Sequence, residues 1–393
     1  MRNSLSGRGR FAAIALALFV QGGQPQQACS PLPTPNPPPA PSTPAEVFTA
    51  ADGTRFSVET VAANLEVPWG LAFAPDGRLF VTERPGRVRI FVFQGGRAQM
   101  LADPALTLTD VFASGEAGLL GITLHPDFAQ NHFVYLAYSA QVGGRRVNRV
   151  VRYRDVNNTL GERAILLDDL AAATTHDGAR VRFGPDRKLY VTMGDAADPS
   201  TAQSFGSLNG KILRLNEDGT APRDNPFASL IYSYGHRNPQ GLDWHPVSGD
   251  LWETEHGATG NDELNLIRAG RNYGWPSIEG ARLQAGMEAP VVFYTPAIAP
   301  SGASFYTGAA IPPFTNNLFF ATLRGVHLHR VRFDASNLTR VLAEEQLLEG
   351  RYGRLRDVVT GPDGYLYFST SNRDGRGTPA SDDDRILRIV PAR

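Results

Sequence analysis

The apolar and polar positions from residue 68 onward repeat one pattern, in which an apolar strand, a tight turn and a second apolar strand follow each other. "PWGLAFAPDGRLFVTE" (68–83) and "RLRDVVTGPDGYLYFSTS" (354–371) show the pattern most clearly. Further copies occupy 119–139, 178–195 and 239–257, and a degraded copy occupies 301–333. The strands alternate or run apolar and no helical periodicity persists, which indicates β-strands joined by turns.

Repeats of this length, with several strands each, are typical of a β-propeller. The turn prolines recur about every 50–60 residues, at Pro75, Pro126, Pro185, Pro246 and Pro362, with a double interval where the degraded copy lies. Six copies predict an all-β fold, a six-bladed β-propeller with four-stranded blades. We expect the segment 55–65 to supply an outer strand to the last blade and so to close the ring. Loops from all blades then converge at one end of the axial channel.

The N-terminal residues differ from the repeats in composition. Arg2, Arg8 and Arg10 precede the apolar run 11–20, which suits a secretory signal and is too short to span a bilayer. A proline-rich tract begins at Cys29 and is typical of an extended tether. We therefore divide the chain into an export signal region (1–28), a Pro-rich tether (29–50) and a propeller domain (51–393).

These features predict an exported protein, either periplasmic or attached to the cell envelope. Cys29 is the only cysteine, so no disulfide framework is expected. Its place between an apolar signal and a tether fits a lipid anchor, whereas Gln26 and Gln27 are a poor approach to a lipidation site. Lipidation and simple signal cleavage both stay open. No second apolar stretch is long enough for a transmembrane helix.

The charge balance argues against one class of partner. The formal net charge is −1, and the body of the chain has no block of like charge. Nucleic-acid binding needs a basic stripe, so no nucleic acid is expected. His236, His245 and His256 form no cluster at metal-ligand spacing, so zinc is not expected either.

Several loops break the repeat, although equivalent loops of a pure scaffold should look alike. Glu116 lies on a glycine-flanked loop, His176 precedes the third copy, and Arg237 and Asn238 precede the fourth in "YGHRNPQG" (232–241). A strand would point Arg237 and Asn238 to opposite faces, whereas a loop can aim both at one target. Other unusual loops contain residues 254–276, Arg324, and Arg354 with Arg356. These loops include His176, Arg237, Asn238 and Arg356, and each of these residues precedes an innermost strand. We therefore predict that all four lie at the same end of the ring.

Four motifs in succession give the chain a family resemblance. They are "HRNPQG" (236–241), "EHG" (255–257), "DELNLI" (262–267) and "GRNYGWP" (270–276). With these motifs, the run from about 60 to 390 resembles the soluble quinoprotein glucose and aldose sugar dehydrogenases. The resemblance implies a propeller that binds pyrroloquinoline quinone (PQQ) and Ca²⁺. It also implies oxidation of the C1 hydroxyl of an aldose sugar to a lactone by hydride transfer to PQQ, and an external electron acceptor.

The resemblance implies roles for individual side chains. His176 matches the general base and Arg237 matches the guanidinium beside the reactive cofactor carbonyl, so both are expected to be catalytic. The expected cofactor-binding residues are Glu116, Arg237, Asn238, Arg324, Arg354 and Arg356. The chemistry agrees, because a tricarboxylate needs several fixed cations and guanidinium binds carboxylates bidentately.

Calcium is expected at two places. Gly257 matches a residue whose backbone carbonyl binds the cofactor's Ca²⁺, and Ala258 stands next to it where a proline is usual. Glu263 and the backbone of Tyr273 match a separate structural calcium site. Carboxylate and backbone oxygens are the ligands that Ca²⁺ prefers.

Glu116 is the main departure from the family pattern, because a glutamine is expected there. An ionised acid that faces a polycarboxylate repels it unless the acid is paired or protonated. Either Glu116 pairs with a neighbouring arginine, or it is protonated when the cofactor binds, because its pKa is raised, and donates a hydrogen bond as an amide would. We favour the second arrangement, since a neutral Glu and a Gln share shape and donor capacity.

Two other functions stay open. A calcium-dependent lactone hydrolase on a six-bladed propeller would bind its metal through carboxylates and amides near the axis, and would not need so many arginines. A non-enzymatic propeller that binds protein or glycan would have lost the cofactor, and Glu116 favours this alternative. Monomer and homodimer are both possible. The segment 277–290, expected at the substrate rim, has no pattern that indicates which sugar is used.

Overall fold

Residues 46–392 are described by a computed structural model of the chain, and they belong to one folded unit. The expected export signal (1–28), Cys29 and the first part of the expected tether lie outside the described residues. The first strand begins at Val47, so the described fold includes the last residues of the segment assigned to the tether. Among residues 46–392, no helix is long and apolar enough to cross a membrane.

Six antiparallel sheets form the fold, and each sheet is one blade. Two strands precede blade one: β1 (Val47–Thr49) and β2 (Arg55–Ala62). Blade one contains β3 (Pro68–Phe73), β4 (Leu79–Glu83), β5 (Arg87–Gln94), β6 (Arg97–Met100) and β7 (Leu106–Thr107). Blade two contains β8 (Leu119–Leu124), helix α1 (Phe128–Asn131), β9 (Phe133–Val142), β10 (Arg145–Val156) and β11 (Thr159–Ala171). Blade three contains β12 (Gly178–Phe183), β13 (Leu189–Met193), β14 (Lys211–Leu215) and β15 (Ile231–Tyr234).

The remaining blades repeat the same order of strands. Blade four contains β16 (Pro239–Trp244), β17 (Leu251–Glu255), β18 (Asp262–Ile267) and β19 (Val292–Tyr294). Blade five contains β20 (Pro300–Phe305), β21 (Leu318–Thr322), β22 (Leu328–Asp334) and β23 (Asn337–Leu347). Blade six contains β24 (Leu355–Thr360), β25 (Leu366–Thr370) and β26 (Ile386–Pro391). Short 3₁₀ segments lie at Pro199–Gln203, Pro226–Ala228 and Pro312–Phe314.

The ring is closed by β2, which pairs antiparallel with β26 as the outer strand of blade six. Strand β1 extends the same sheet at its edge. The innermost strands of the six blades pack side by side around the axis. The predicted six-bladed propeller is therefore confirmed, and residues 55–65 supply its closing strand.

The hydrophobic core lies between neighbouring blades. Phe80 and Val88 of blade one pack with Leu119 and Leu136 of blade two, and all four are fully buried. The second strand of a blade is buried on both faces, as in β4, which begins with the apolar residues Leu79, Phe80 and Val81 and ends with the buried polar residues Thr82 and Glu83. Burial of one such apolar side chain is worth roughly 1.5–3 kcal/mol, so packing between blades provides much of the stability of the ring.

A threonine in the second strand links one blade to the next. The hydroxyl of Thr82 donates to the carbonyl of Leu120 at 2.6 Å, and that of Thr192 donates to the carbonyl of Pro239 at 2.8 Å. Pro239 is the first residue after the Arg237–Asn238 pair, so this hydrogen bond fixes the point at which that loop ends.

In every blade, the register between the innermost strand and the second strand shifts near the first residues of the innermost strand. The irregularity lies between Gly178 and Val181 in β12, and between Pro239 and Gly241 in β16. Such bulges bend the strand and re-aim side chains, and they often lie beside active sites. Here they lie directly after the loops that carry His176 and Arg237.

Candidate active site

A cavity of about 370 Å³ lies at the end of the ring where the innermost strands begin. Its volume falls within the range of small-molecule sites. Seven of the residues expected from the sequence line it: Glu116, His176, Arg237, Gly257, Ala258, Arg324 and Arg354. The expectation that loops from different blades meet at one end is therefore met for these residues.

His176 lies on the loop ahead of β12 and forms a close pair with Asp195, which follows β13. Its Nδ1 is 2.8 Å from the Asp195 carboxylate, which is completely buried. Asp195 also accepts hydrogen bonds from the backbone N–H of Ala197 at 2.8 Å and from the indole Nε1 of Trp275 at 2.9 Å. An imidazole that donates its Nδ1 proton to a carboxylate presents Nε2 as a proton acceptor. His176 therefore has the arrangement of a general base.

Arg237 is held against the loop that follows β17. Its guanidinium donates to the backbone carbonyls of Gly257 at 2.6 Å and His256 at 3.1 Å, and it lies 5.2 Å from the ring centroid of Trp275. Its backbone N–H donates to the carboxylate of Glu255. The guanidinium is therefore fixed at the cavity wall beside Gly257, whose carbonyl is the expected calcium ligand.

Asn238 and Arg356 lie behind the cavity wall. Asn238 is fully buried, accepts from the N–H of Gly178 at 3.2 Å and donates to Glu116 at 3.1 Å. Arg356 is buried beneath Arg354, and its burial lowers its pKa to about 10. In this structure both residues support the side chains that line the cavity.

Asp374 positions two of the expected arginines. Its carboxylate accepts from the Nε of Arg354 at 2.8 Å and from Arg356 at 3.4 Å. Burial opposes ionisation of Asp374, but the charges of Arg356 and Arg354 outweigh it and lower the pKa of the carboxyl. Arg354 also donates to the carbonyl of Leu323 at 3.1 Å, next to the exposed Arg324. Guanidiniums from blades five and six thus meet at one side of the cavity.

The structure shows Glu116 in the paired arrangement, with a pKa that is not raised. Burial alone would favour the neutral acid, but the hydrogen bond from the His176 N–H and nearby positive charge outweigh it, so the pKa of Glu116 is lowered. One carboxylate oxygen accepts from the His176 N–H and from the Asn238 amide, both at 3.1 Å. The other accepts from Arg376 at 3.2 Å. Glu116 is therefore ionised and paired, which is the arrangement that the sequence did not favour.

The donors around the cavity suit a flat polyanion. Guanidiniums of four arginines line it, namely Arg237, Arg324, Arg354 and Arg376. Among the described residues that line this cavity, the Nε atom of Arg237 and the Nε2 atom of His256 are buried without a hydrogen-bond partner. Buried polar atoms are normally satisfied, so unsatisfied donors at a cavity indicate a site that completes its contacts with a ligand. The residues present fit a tricarboxylate cofactor.

The expected structural calcium residues meet at a second, very small cavity. Glu263 and Tyr273 line a space of about 10 Å³ together with Glu255 and Glu279, which is room for a single water or small ion. Burial and the adjacent Glu255 raise the pKa of Glu263 to about 8. The donors to Glu263 are the N–H of Gly280 at 2.9 Å and the amide of Asn265 at 3.2 Å. A cation would remove the mutual repulsion of these carboxylates.

Glu253 and Glu255 were not singled out from the sequence, although they belong to this acidic cluster. With His236 they place ligand atoms within 4.8 Å of one another, a geometry that could hold a metal ion. Both lie in β17, two residues apart, so they point to the same face of the blade. Two glutamates at alternate positions of a fully buried strand were the signal that could have identified them.

Three further residues of the active-site region escaped sequence reasoning. Asp195 lies just after a strand, in sequence that looks like the ordinary repeat. Asp374 and Arg376 lie in a polar loop. None of the three belongs to the motifs that carry the family resemblance. A larger cavity of about 590 Å³ lies at the opposite end of the ring, where the innermost strands finish. None of the expected site residues lines that cavity, so the smaller one is the candidate active site.

The fold is a six-bladed propeller. A histidine–aspartate pair and several arginines converge on one end of it. This arrangement is typical of an enzyme that binds an anionic ligand. Comparison with known proteins specifies it further. The family described as Glucose / Sorbosone dehydrogenase matches residues 65–387. The chain therefore belongs to the glucose/sorbosone dehydrogenase family of oxidoreductases.

Relatives that are named as sugar dehydrogenases agree with this assignment. Aldose sugar dehydrogenase YliI of Escherichia coli (strain K12) is 34% identical over 344 residues, which cover 81% of this chain and 91% of that protein. Quinoprotein glucose dehydrogenase B of Acinetobacter calcoaceticus is 27% identical over 445 residues, covering 89% and 92%. The structure of the PQQ-bound aldose sugar dehydrogenase from Streptomyces coelicolor matches with a TM-score of 0.76 and 37% identity, covering 85% and 98%.

Proposed function

We propose that this protein is an exported, PQQ-dependent aldose sugar dehydrogenase that oxidises the C1 hydroxyl of its substrate to a lactone. The observation that carries the proposal is the convergence of the His176 imidazole and of three guanidiniums, those of Arg237, Arg324 and Arg354, on a single cavity. The names of the relatives from Escherichia coli and Streptomyces coelicolor support the sugar class and the cofactor.

The residues of this chain have separable roles in such a reaction. Bound PQQ would supply a quinone that accepts a hydride, and Ca²⁺ would polarise its carbonyl. His176 would accept the proton of the C1 hydroxyl at Nε2, because its Nδ1 is hydrogen-bonded to Asp195. Loss of that proton lets the C1 hydrogen leave with its electron pair, which completes a two-electron oxidation of the sugar. Arg237 would stabilise the negative charge that develops on the cofactor oxygen.

Calcium would bind through oxygens at both proposed positions. Gly257 and Ala258 border the main cavity, and their backbone carbonyls are the proposed ligands there. Arg237 uses one lone pair of the Gly257 carbonyl, and a carbonyl oxygen has two, so guanidinium and cation can share it. Glu263 and the Tyr273 carbonyl would hold the second, structural ion, with Glu255 as a further carboxylate beside them.

The two alternatives have less support. A lactone hydrolase needs free side-chain carboxylates for its metal, whereas Asp262 accepts from the N–H groups of Gly257, Ile298 and Ala299 at 2.7–2.8 Å. A cofactor-free binding propeller was favoured only by Glu116, and the pairing of Glu116 with Arg376 removes that reason.

Cellular location and assembly form a second part of the proposal. We place the protein in the periplasm or at the cell envelope on the basis of residues 1–44, with a lipid anchor at Cys29 as one form of attachment. An external electron acceptor would reoxidise the cofactor, and the protein would act as a monomer or homodimer. The mass of the mature N-terminus tests the location: a chain that still begins at Met1 would contradict export.

The function is tested by titrating purified, cofactor-free protein with PQQ in the presence of Ca²⁺ and recording the absorption of the cofactor. We expect saturable binding that is lost when Ca²⁺ is chelated. Arg237→Gln should weaken it, whereas Arg351→Gln, at an exposed arginine that pairs with Glu46, should not. Absence of saturable binding by the wild type would contradict the proposal.

A further inference from the structure

Glu116 and Arg376 connect blades two and six across the cavity. The Arg376 guanidinium is 56% exposed and donates to one oxygen of Glu116 at 3.2 Å. The other oxygen of Glu116 holds the His176 N–H and the Asn238 amide. One carboxylate therefore serves two purposes, since it fixes the backbone of the base and binds a cation at the cavity.

The hydrogen-bond pattern matches an acid at position 116. All partners of the Glu116 side chain are donors, on both of its oxygens. A glutamine could accept from His176 and Asn238 with its single oxygen, but its amide NH₂ would then face the donors of Arg376. The acid at 116 and the arginine at 376 are thus chemically matched to each other.

Arg376 belongs to the same cationic cluster as Arg354 and Arg356. Its backbone N–H donates to Asp374 at 2.9 Å, and the other carboxylate oxygen of Asp374 accepts from Arg354 and from the buried Arg356. The loop that carries Arg376 is therefore anchored to the wall of the cavity, while the guanidinium itself extends to Glu116.

We propose that Arg376 is the counterion of Glu116 and in this way determines the affinity of the site for its polyanionic cofactor. The inference rests on the proposed PQQ-dependent function. Without Arg376, an ionised Glu116 would face the carboxylates of PQQ and repel them, because like charges at close range in a partly buried site are unfavourable. With Arg376 in place, Glu116 can hold the His176 loop and the pair adds no net charge to the site.

A double-mutant experiment separates this role from that of a direct cofactor ligand. Dissociation constants for PQQ, with Ca²⁺ present, are measured on cofactor-free wild type, Arg376→Gln, Glu116→Gln and the double variant, after melting curves show that each is folded. We expect Arg376→Gln to weaken binding about tenfold, and the double variant to recover to within about threefold of the wild type. Arg351→Gln is the matched control, since its guanidinium is also half exposed and paired.

The outcomes that would overturn the inference are distinct. If the wild type binds PQQ and Arg376→Gln binds it equally well, Arg376 is not a counterion and only this inference fails. If the double variant binds as weakly as Arg376→Gln, Arg376 contacts the cofactor directly and the pairing is irrelevant. If the wild type does not bind PQQ at all, the proposed function fails and this inference fails with it.

Discussion

The Nδ1 atom of His176 lies 2.8 Å from the buried carboxylate of Asp195, and this pair joins the loop before one strand of blade three to the loop after the next. The carboxylate also accepts from the indole of Trp275, which comes from blade four. Three segments of the chain therefore fix one imidazole. This fixation supports the proposed role of His176, since a base must be held in one tautomer and one orientation.

Asp195→Asn is expected to lower the turnover of the PQQ- and Ca²⁺-loaded protein by about 10²–10⁴-fold. The amide can donate to Nδ1 and so favour the wrong tautomer of His176, while the shape of the side chain is kept. Steady-state assays with an aldose and an artificial acceptor measure the change. Trp275→Phe keeps a ring beside Arg237 and removes one donor to Asp195, so its loss of turnover should be smaller. Wild-type turnover in Asp195→Asn would show that this pair does not orient the base.

Calcium is expected to stabilise the protein in the absence of PQQ through the site at Glu263. A ligand that binds only the folded state adds about 2.7 kcal/mol at a hundredfold excess over its dissociation constant, which should raise the melting temperature. Glu263→Gln should lose most of this increase, whereas Glu162→Gln, at an exposed glutamate, should keep it. An equal increase in all three proteins would exclude Glu263 as a ligand.

Asp177 predicts a pH dependence of stability that is independent of any metal. It is fully buried next to His176, and burial raises its pKa from 3.8 to about 7. A carboxyl whose pKa is raised by folding stabilises the native state below its unfolded pKa, and this contribution is lost as the pH rises towards the folded value. The free energy of unfolding should therefore fall by roughly 1–4 kcal/mol between about pH 4 and pH 7 from this group alone.

Asp177→Asn isolates that contribution. The amide oxygen can still accept from Asn148 and the Ala173 N–H, as the carboxylate does at 2.9 and 3.1 Å. Denaturant unfolding at several pH values should give a flatter profile for the variant than for the wild type between pH 4 and pH 7. Parallel profiles would mean that Asp177 does not titrate in this range.

The fold could be predicted from the sequence because its signal is repeated. The Pro-containing turns recur in five of the six blades, and a period-two pattern carries little ambiguity when five clear copies agree. The closing strand was also predictable, since a ring of blades needs a partner for the last sheet and only 55–65 was left over. The irregular pairing at the start of each inner strand was not, because it depends on backbone geometry that the apolar pattern does not encode.

The active site was predictable only in part. His176, Arg237, Arg324 and Arg354 were identified because their loops differ from the repeat, and all four line the cavity. Asn238 belongs to the same loop as Arg237, but it is buried and donates to Glu116, which is 122 residues away in the sequence. The sequence around Asn238 does not indicate this contact.

The ionisation of Glu116 was missed for a related reason. Its partner Arg376 is 260 residues distant and lies in a polar loop of no recognisable pattern. Loops of different blades come together only when the ring closes. Pairings between them therefore cannot be inferred from the sequence of each blade taken separately.

The most direct test of the central claim is a single-turnover measurement on protein loaded with PQQ and Ca²⁺. The loaded protein is mixed anaerobically with aldose sugars in the absence of an electron acceptor, and the absorption of the bound cofactor is followed. The account predicts complete reduction of the cofactor by at least one aldose in the wild type. It predicts reduction slower by about 10²–10⁴-fold in His176→Ala, with the initial spectrum of the bound cofactor unchanged. A cofactor that stays oxidised with every aldose, or an unchanged rate in His176→Ala, would contradict it.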